Sequence, residues 1–463
     1  MYQIDFQKPI RVHFIGIGGI SMSGLARILQ TEGFSVSGSD RQDSELLTPL
    51  RELGIEVQIG QRAENITDDI GLVVYTAAIS HDNPEFAEAE KRGLPMMSRA
   101  TLLGQIMKNY RVPIAVSGTH GKTTTTSMIS EILMAAGCDP TLNIGGVLKS
   151  IDSNTRIGGR DYFVAEACEY TNSFLEFFPR IGIILNIEED HLDFFKDLDD
   201  IRHSFRRFAG LLPEDGCLIL GGSVPDRDAF CSGLRCRVVT FGEEEGCDYR
   251  PEEIRFDENG LGSYTLVHRT KDGSTERFAV SLSLPGRHNI TNSLAALAAS
   301  DELGLSRETA LAALARFDGP RRRFEKKGEL GGITIMDDYA HHPTEIRATL
   351  KAASNVPHKT LRCVFQPHTY TRTKAFLDEF ADALCLADEV ILTDIYAARE
   401  KNTVGISSVD LQKKLREKGK DALYFSYFDD IETYLLGHAE AGDLILTMGA
   451  GDVCRIGDRL LGK

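Results

Sequence analysis

No apolar run in this chain approaches the ~18 residues that a membrane-spanning helix needs. The opening stretch, MYQIDFQKPIRVHF, lacks the longer apolar segment of a secretory leader. Basic residues are in deficit: 52 Lys+Arg stand against 68 Asp+Glu, a formal charge of −16. That balance argues against a protein that coats nucleic acid or inserts into anionic membrane, but it leaves room for a local basic pocket around a phosphorylated ligand. There is no CxxC pair. The nine cysteines are scattered and odd in number, as expected of reduced thiols in a cytoplasmic enzyme. Short repeats, heptads and low-complexity tracts are also missing.

What the chain does have is length and a packed-core composition. Its 463 residues correspond to about three domains at ~150 residues each. Apolar residues make up 42% and charged residues 26%, so disorder is not expected. Strand-length apolar runs alternate with helix-like patterns, which predicts α/β domains with parallel sheets. Three blocks separate: residues 1–110, 111–324 and 325–463. The first is Rossmann-like, with strands expected at 10–15, 35–37 and 72–75 and a linker at 107–111. The second is a P-loop ATPase-type block with strands at 113–117, 162–166 and 181–186. It carries a small antiparallel patch over 249–284 and a closing helix at 289–303. The third is again Rossmann-like, with strands at 333–336, 361–365, 390–393 and 444–448 and helices near 343–353, 372–384 and 407–418.

The strongest chemical signal is Gly118-Thr119-His120-Gly121-Lys122-Thr123-Thr124, set between an apolar strand and a helix. Glycines let successive backbone N–H groups turn toward one anion, and the helix adds its positive end. Lys122 suits the β/γ-phosphates of a nucleotide and the Thr123 hydroxyl suits Mg²⁺. Position 116, where the commoner pattern has glycine, is Val116. Glu166 ends an apolar strand and His191 follows another, so both are candidate metal ligands beside the loop.

A second glycine loop, Gly16-x-Gly18-Gly19, is followed by Asp40, which lies near the spacing of a ribose-binding acid. Taken alone, it fits NAD(P), another nucleotide or a nucleotide sugar. Gly286-Arg-His-Asn-Ile-Thr-Asn292 opens a helix and offers His288, Asn289 and Asn292 toward a base. Arg321-Arg322-Arg323 stands at a block junction, where it could clamp a transferring phosphate. Two polar clusters, around Asp337–Glu345 and Gln366–Arg372, mark a binding face on the third sheet.

Read in order, HFIGIGGISMSG, SGTHGKTTTT, NIEEDHLD, PGRHNITNSLAALA, RRRFE, DDYAHHPTE and FQPHTYTRT give the chain its resemblance. It resembles the Mur ligases, the ATP-dependent amino-acid-adding enzymes of peptidoglycan synthesis, over essentially its whole length. The resemblance implies ATP and Mg²⁺, with UDP-N-acetylmuramate and L-alanine as the molecules to be joined. It implies that Gly118 to Thr124 hold the ATP phosphates and that Thr123, Glu166 and His191 hold Mg²⁺. His288, Asn289 and Asn292 fall to the adenine side, Arg322 and Arg323 to the domain crossover, and Asp337 or Asp338 to the ribose. Tyr339, His341, His368 and Arg372 lie toward the amino-acid and sugar ends, with His341 a candidate base. Gly16, Gly18, Gly19 and Asp40 then serve the UDP-sugar. The chain departs from the family pattern at Cys168 and Thr171, where many members have acids, and at Thr369, where many have arginine. Because an acyl phosphate must be kept from water, the three-domain layout predicts an open molecule that closes on its ligands, with hinges at 107–111 and after Phe324.

Overall fold

The computed structural model describes residues 2–398 and 400–463. Three sheets follow one another along the chain, one for each block. The first is built from β1 (Arg11–Ile15), β2 (Ser35–Asp40), β3 (Glu56–Ile59), β4 (Leu72–Tyr75) and β5 (Met96–Ser98). All its pairings are parallel and the order is β3-β2-β1-β4-β5. The order reverses between β1 and β4, which places the Gly16 loop at the crevice where such sheets bind ligands. Gly16 needs its φ of +83° there, and the N–H groups of Gly16 and Ile17 both reach the Ser39 carbonyl.

The second sheet contains β6 (Val112–Ser117), β7 (Thr141–Leu148), β8 (Ser153–Arg156), β9 (Tyr162–Glu166), β10 (Ile181–Ile184), β11 (Cys217–Gly221) and β12 (Arg237–Phe241). β13 (Tyr249–Phe256), β14 (Leu261–Arg269) and β15 (Thr275–Pro285) complete it. The antiparallel patch expected over 249–284 is present, but it is not separate. It joins the parallel strands through Phe241 and Tyr249 and runs to the sheet's edge. The phosphate-type strand β6 lies between β10 and β9, so the carboxyl ends of all three open on one side.

The third sheet comprises β16 (Glu325–Leu330), β17 (Ile333–Asp338), β18 (Leu361–Phe365), β19 (Glu389–Leu392), β20 (Ala422–Tyr424) and β21 (Leu444–Met448), ordered β16-β17-β21-β18-β19-β20. Only β16 runs antiparallel. The helix expected over 372–384 is broken at Phe376 into Tyr370–Ala375 and Leu377–Leu384. The Phe376 ring is drawn onto His342, 4.9 Å between centroids, and its backbone leaves the helical region.

The cores divide differently from the sheets. One apolar cluster joins the first domain to the central one, with Leu102, Ile106 and Met107 packed in a single core with Phe163, Phe174 and Phe205. Gly104 makes that approach possible, since a Cβ there would lie 1.9 Å from the Glu176 carbonyl oxygen. Residues 107–111 are therefore not a loose hinge. Met107 is fully buried and the Asn109 side chain is bonded to Phe6 N–H and the Ile4 carbonyl. The third domain keeps its own clusters and meets the central domain through polar groups, which is the kind of contact that can open. The crossover into it has two non-glycine residues at positive φ, Arg322 at +62° and Phe324 at +51°. Such residues are uncommon there and mark a conformation imposed by the surroundings.

Candidate functional site

Strand β6 ends in the loop that begins at Gly118, and the loop ends at Gly121, where the helix Lys122–Ala135 starts. Gly118 (φ +135°) presses on Leu185 and Gly121 (φ +85°) on the Asn292 side chain. A Cβ at Gly121 would lie 2.5 Å from Asn292 Oδ1. Asn186, at the end of β10, braces the loop from both sides. It accepts the His120 N–H at 2.8 Å and donates to the His120 carbonyl at 3.1 Å.

Lys122 Nζ donates to the Gly118 and Thr119 carbonyls at 2.5 and 3.0 Å and to both oxygens of Glu169 at 3.2 and 2.9 Å. Burial works against its charge, but the surrounding anionic groups, Glu169 foremost and Glu166 among them, together raise its pKa. Thr123 Oγ1 donates to Glu166 Oε2 at 2.8 Å, and the same oxygen accepts the Gly145 N–H at 3.0 Å. A hydroxyl and a carboxylate oxygen on adjoining elements are the hard donors that Mg²⁺ prefers. His191 stands farther along. Its ring stacks on Tyr170 at 4.5 Å, and Nε2 lies 3.9 Å from Glu169 and 3.8 Å from Asp190.

The third domain covers this loop. Arg323 Nη2 approaches Thr123 Oγ1 at 3.5 Å, and its guanidinium lies over the Tyr339 ring, 5.2 Å from the centroid. Arg322, expected beside it on the nucleotide, is turned away. It binds Asp337 at 3.0 Å and the Gly449 and Gly451 carbonyls at 2.7 and 3.0 Å, anchoring the crossover inside the third domain. Asp337 is correspondingly fully buried between Arg322 and Thr447, so of the two expected ribose acids only Asp338 faces the cavity. Asp338 also accepts the Phe324 N–H at 2.6 Å, and burial pushes its pKa up to about 6 against the pull of Arg323.

Between the two domains lies a cavity of about 260 Å³. His120, Gly121 and Thr124 form its phosphate-loop wall, with His288, Asn289 and Asn292 on a second side and Arg323, Asp338 and Glu345 on a third. Asn289 is tied to the Pro285 carbonyl and Asn292 to Asn289, while His288 stands exposed at the rim. Arg372 is buried and donates to Asp190 Oδ1 at 2.9 and 3.0 Å, an ion pair that crosses the domain boundary. It also reaches His368 at 3.1 Å. Arg372 holds Asp190 well below the usual carboxylate range although burial opposes this. His341 lies 3.3 Å from Glu345. Burial nonetheless lowers its pKa to about 3, which favours the neutral imidazole.

In the first domain, the Asp40 carboxylate is turned onto its own loop. Oδ2 accepts the Gly18 N–H at 2.9 Å and Oδ1 the Arg41 N–H at 2.7 Å. Asp40 thus braces the Gly16-Gly18-Gly19 turn. Among the described residues, no hydrogen bond links this turn to the phosphate loop. Glu169, Asn186, Asp190 and Glu345 are further site residues that no motif singles out, although the last three lie inside NIEEDHLD and DDYAHHPTE. Their roles depend on partners 47, 66, 182 and 225 positions away.

A phosphate loop, an acid on the neighbouring strand and an arginine on the crossover to a covering domain are the parts of an enzyme that moves a phosphoryl group. Three family models match in series: the Mur ligase family catalytic domain over residues 11–111, the Mur ligase middle domain over 116–300 and the Mur ligase glutamate ligase domain over 322–451. The chain belongs to the Mur ligase family. It is 56% identical over 463 residues to the UDP-N-acetylmuramate–L-alanine ligase of Agathobacter rectalis, covering 100% of both chains. Its fold is similar to the crystal structure of UDP-N-acetylmuramate-alanine ligase MurC from Thermotoga maritima, with a TM-score of 0.81, 30% identity and 98% of each chain covered. A murein peptide ligase from Psychrobacter arcticus follows at a TM-score of 0.71 and 28% identity, again over 98% of each chain.

Proposed function

We propose that this chain is the ATP-dependent ligase that adds L-alanine to the lactyl carboxylate of UDP-N-acetylmuramate in peptidoglycan precursor synthesis. The full-length 56% identity to a ligase of that name carries the substrate assignment. The domains are read as 1–110 for the UDP-sugar, 111–324 for ATP, and 325–463 for the amino acid and for closure over ATP. The reaction is cytoplasmic, and no helix of the described residues is long and apolar enough to cross a membrane.

A carboxylate resists attack by an amine because oxide is a poor leaving group. Transfer of the γ-phosphoryl group makes an acyl phosphate, which the neutral amine of L-alanine opens with loss of phosphate. Lys122, released from Glu169, and Arg323, already near Thr123, are the cations that spread charge during transfer. Thr123 and Glu166, with His191 beyond them, would hold Mg²⁺, which would supply the remaining neutralisation of phosphate charge. His288, Asn289 and Asn292 face the base, and Asp338 faces the ribose. Tyr339, His368 and Arg372 border the acceptor end. His341, kept neutral by burial, is the candidate to take the amine's proton. Closure of the third domain keeps water from the acyl phosphate.

The test is ADP release with each substrate omitted in turn. Turnover should require UDP-N-acetylmuramate and L-alanine together, with NAD(P) inert. Robust release without the UDP-sugar would exclude this reading.

A further inference from the structure

At the seam between the phosphate loop and the third domain, two histidines and a glutamate converge away from the Thr123–Glu166 pair. One ligand-type atom from each of His120, Glu188 and His342 lies within 4.8 Å of the other two. His120 Nε2 is buried without a hydrogen-bond partner and lies 3.5 Å from Glu188 Oε2. That separation is close to the edge of a zinc tetrahedron, roughly 3.3 Å for ligand bonds of ~2.0–2.1 Å.

Both imidazoles are already oriented from behind. His120 Nδ1 faces Glu345 Oε1 at 3.2 Å, and His342 Nε2 faces the Glu189 carbonyl at 3.1 Å. A ring nitrogen proton given to a carboxylate or carbonyl is the outer contact that fixes a metal-bound histidine and raises its donor strength. It leaves His120 Nε2 with a free lone pair, whereas His342 Nδ1 accepts the Thr344 N–H at 3.3 Å, a long cap contact that a cation would have to displace. Two carboxylates beside the pair favour a cation, and the half-exposed Glu188 leaves room for a water as fourth ligand.

We propose that His120, Glu188 and His342 form a binding site for a borderline divalent cation, Zn²⁺, which clasps the third domain onto the phosphate loop. Two imidazoles select zinc over Mg²⁺, whose preference is for oxygen. Glu188 and His120 come from the central domain and His342 from the third, so the site exists only when the two are closed. A cation there opposes the opening that turnover requires and inhibits the enzyme. In its absence a proton occupies the position. Burial would lower the His120 pKa, but Glu188 and then Glu345 raise it to about 9, with His342 and His288 the other titratable groups nearby.

The experiment titrates the full-length protein, with Mg²⁺ in excess, with Co²⁺ by visible absorption and Zn²⁺ by calorimetry. One equivalent of Co²⁺ should give the intense visible bands of a four-coordinate site, without a thiolate charge-transfer band. His342→Asn keeps the cap that His342 provides to the helix Pro343–Ala353 but removes a nitrogen ligand. Changes in outer contacts alone cost 10–100-fold, so this variant should lose at least about 100-fold in Zn²⁺ affinity. It should also keep its basal ADP release and lose inhibition by Zn²⁺. A thiolate band, six-coordinate Co²⁺, or equal Zn²⁺ affinity in the variant would overturn the proposal. The cobalt spectrum reads the metal directly, so this result stands apart from whether the substrates are those assigned above.

Discussion

Lys122 is the residue on which local and functional demands meet most directly. It holds two loop carbonyls and the buried Glu169 together, and it must also turn to phosphate. Lys122→Met should therefore lose on the order of 10³-fold in ADP release, since it removes charge at the transferring group. It should also lower the melting temperature, because Glu169 is left buried and unpaired. Adding Glu169→Gln should restore the melting temperature without restoring activity; a thermal melt beside a turnover assay checks both. Cys168 sits next to this pair. Burial and then Glu169 push its thiol up to about 11 despite Lys122, so the thiol is inert at neutral pH. Cys168→Ser should change activity only mildly and alkylation of Cys168 should be slow, whereas Glu166→Ala should greatly weaken Mg²⁺-dependent activity. Mass-spectrometric labelling and a Mg²⁺ titration separate these outcomes.

Among the elements, β7 shows how a poor strand sequence can be a good site sequence. Its Gly145-Gly146 pair lowers strand propensity. The reason for the glycine lies across the sheet. A Cβ on Gly145 would sit 2.2 Å from Glu166 Oε2, the oxygen that Thr123 also binds. Gly145→Ala should displace that carboxylate. The expected result is a raised Mg²⁺ requirement and at least about a tenfold loss of turnover, comparable to losing one preorganised contact, in a protein that still folds. Thr369 poses the converse case. A β-branched residue at φ +65° caps the short helix that carries Arg372, and its carbonyl accepts the Thr373 hydroxyl. Strain of this kind persists only where the surroundings impose it.

At the scale of the molecule, the first two domains share a core and the third is held by polar bridges. Arg372–Asp190, His120–Glu345, Thr344–Glu188 and His342 to the Glu189 carbonyl are among the ties that opening must break. The chain is thus closed in this structure, where an open form was expected, and the strained Arg322–Phe324 segment, not the packed residues 107–111, is the expected hinge. The His120 ties imply a pH dependence. Glu188 and Glu345 together raise the His120 pKa from 6.5 to about 9, and only Glu345 comes from the third domain, so the Glu345 share of that contribution favours the closed form and is lost as pH rises through 9. Small-angle scattering should show the radius growing between pH 7 and 9.5, and His120→Gln should flatten that change. Arg372→Met, which strands Asp190, should expand the molecule at every pH.

The sequence by itself determined three α/β blocks, the phosphate loop and most strands around it, because apolar periodicity and the Gly-Lys-Thr signature are local. It also placed Glu166 at the end of β9, where Thr123 meets it. Only the tertiary structure decided which of two adjacent residues faces the cavity. Arg322 and Asp337 neutralise each other inside the third domain, which leaves Arg323 and Asp338 to the cleft. Only the fold could supply Glu169 to Lys122, Asp190 to Arg372 and Glu345 to His120. The physical reason is the same throughout. A buried charge needs a partner close in space, and chain spacing does not record which distant segment brings that partner.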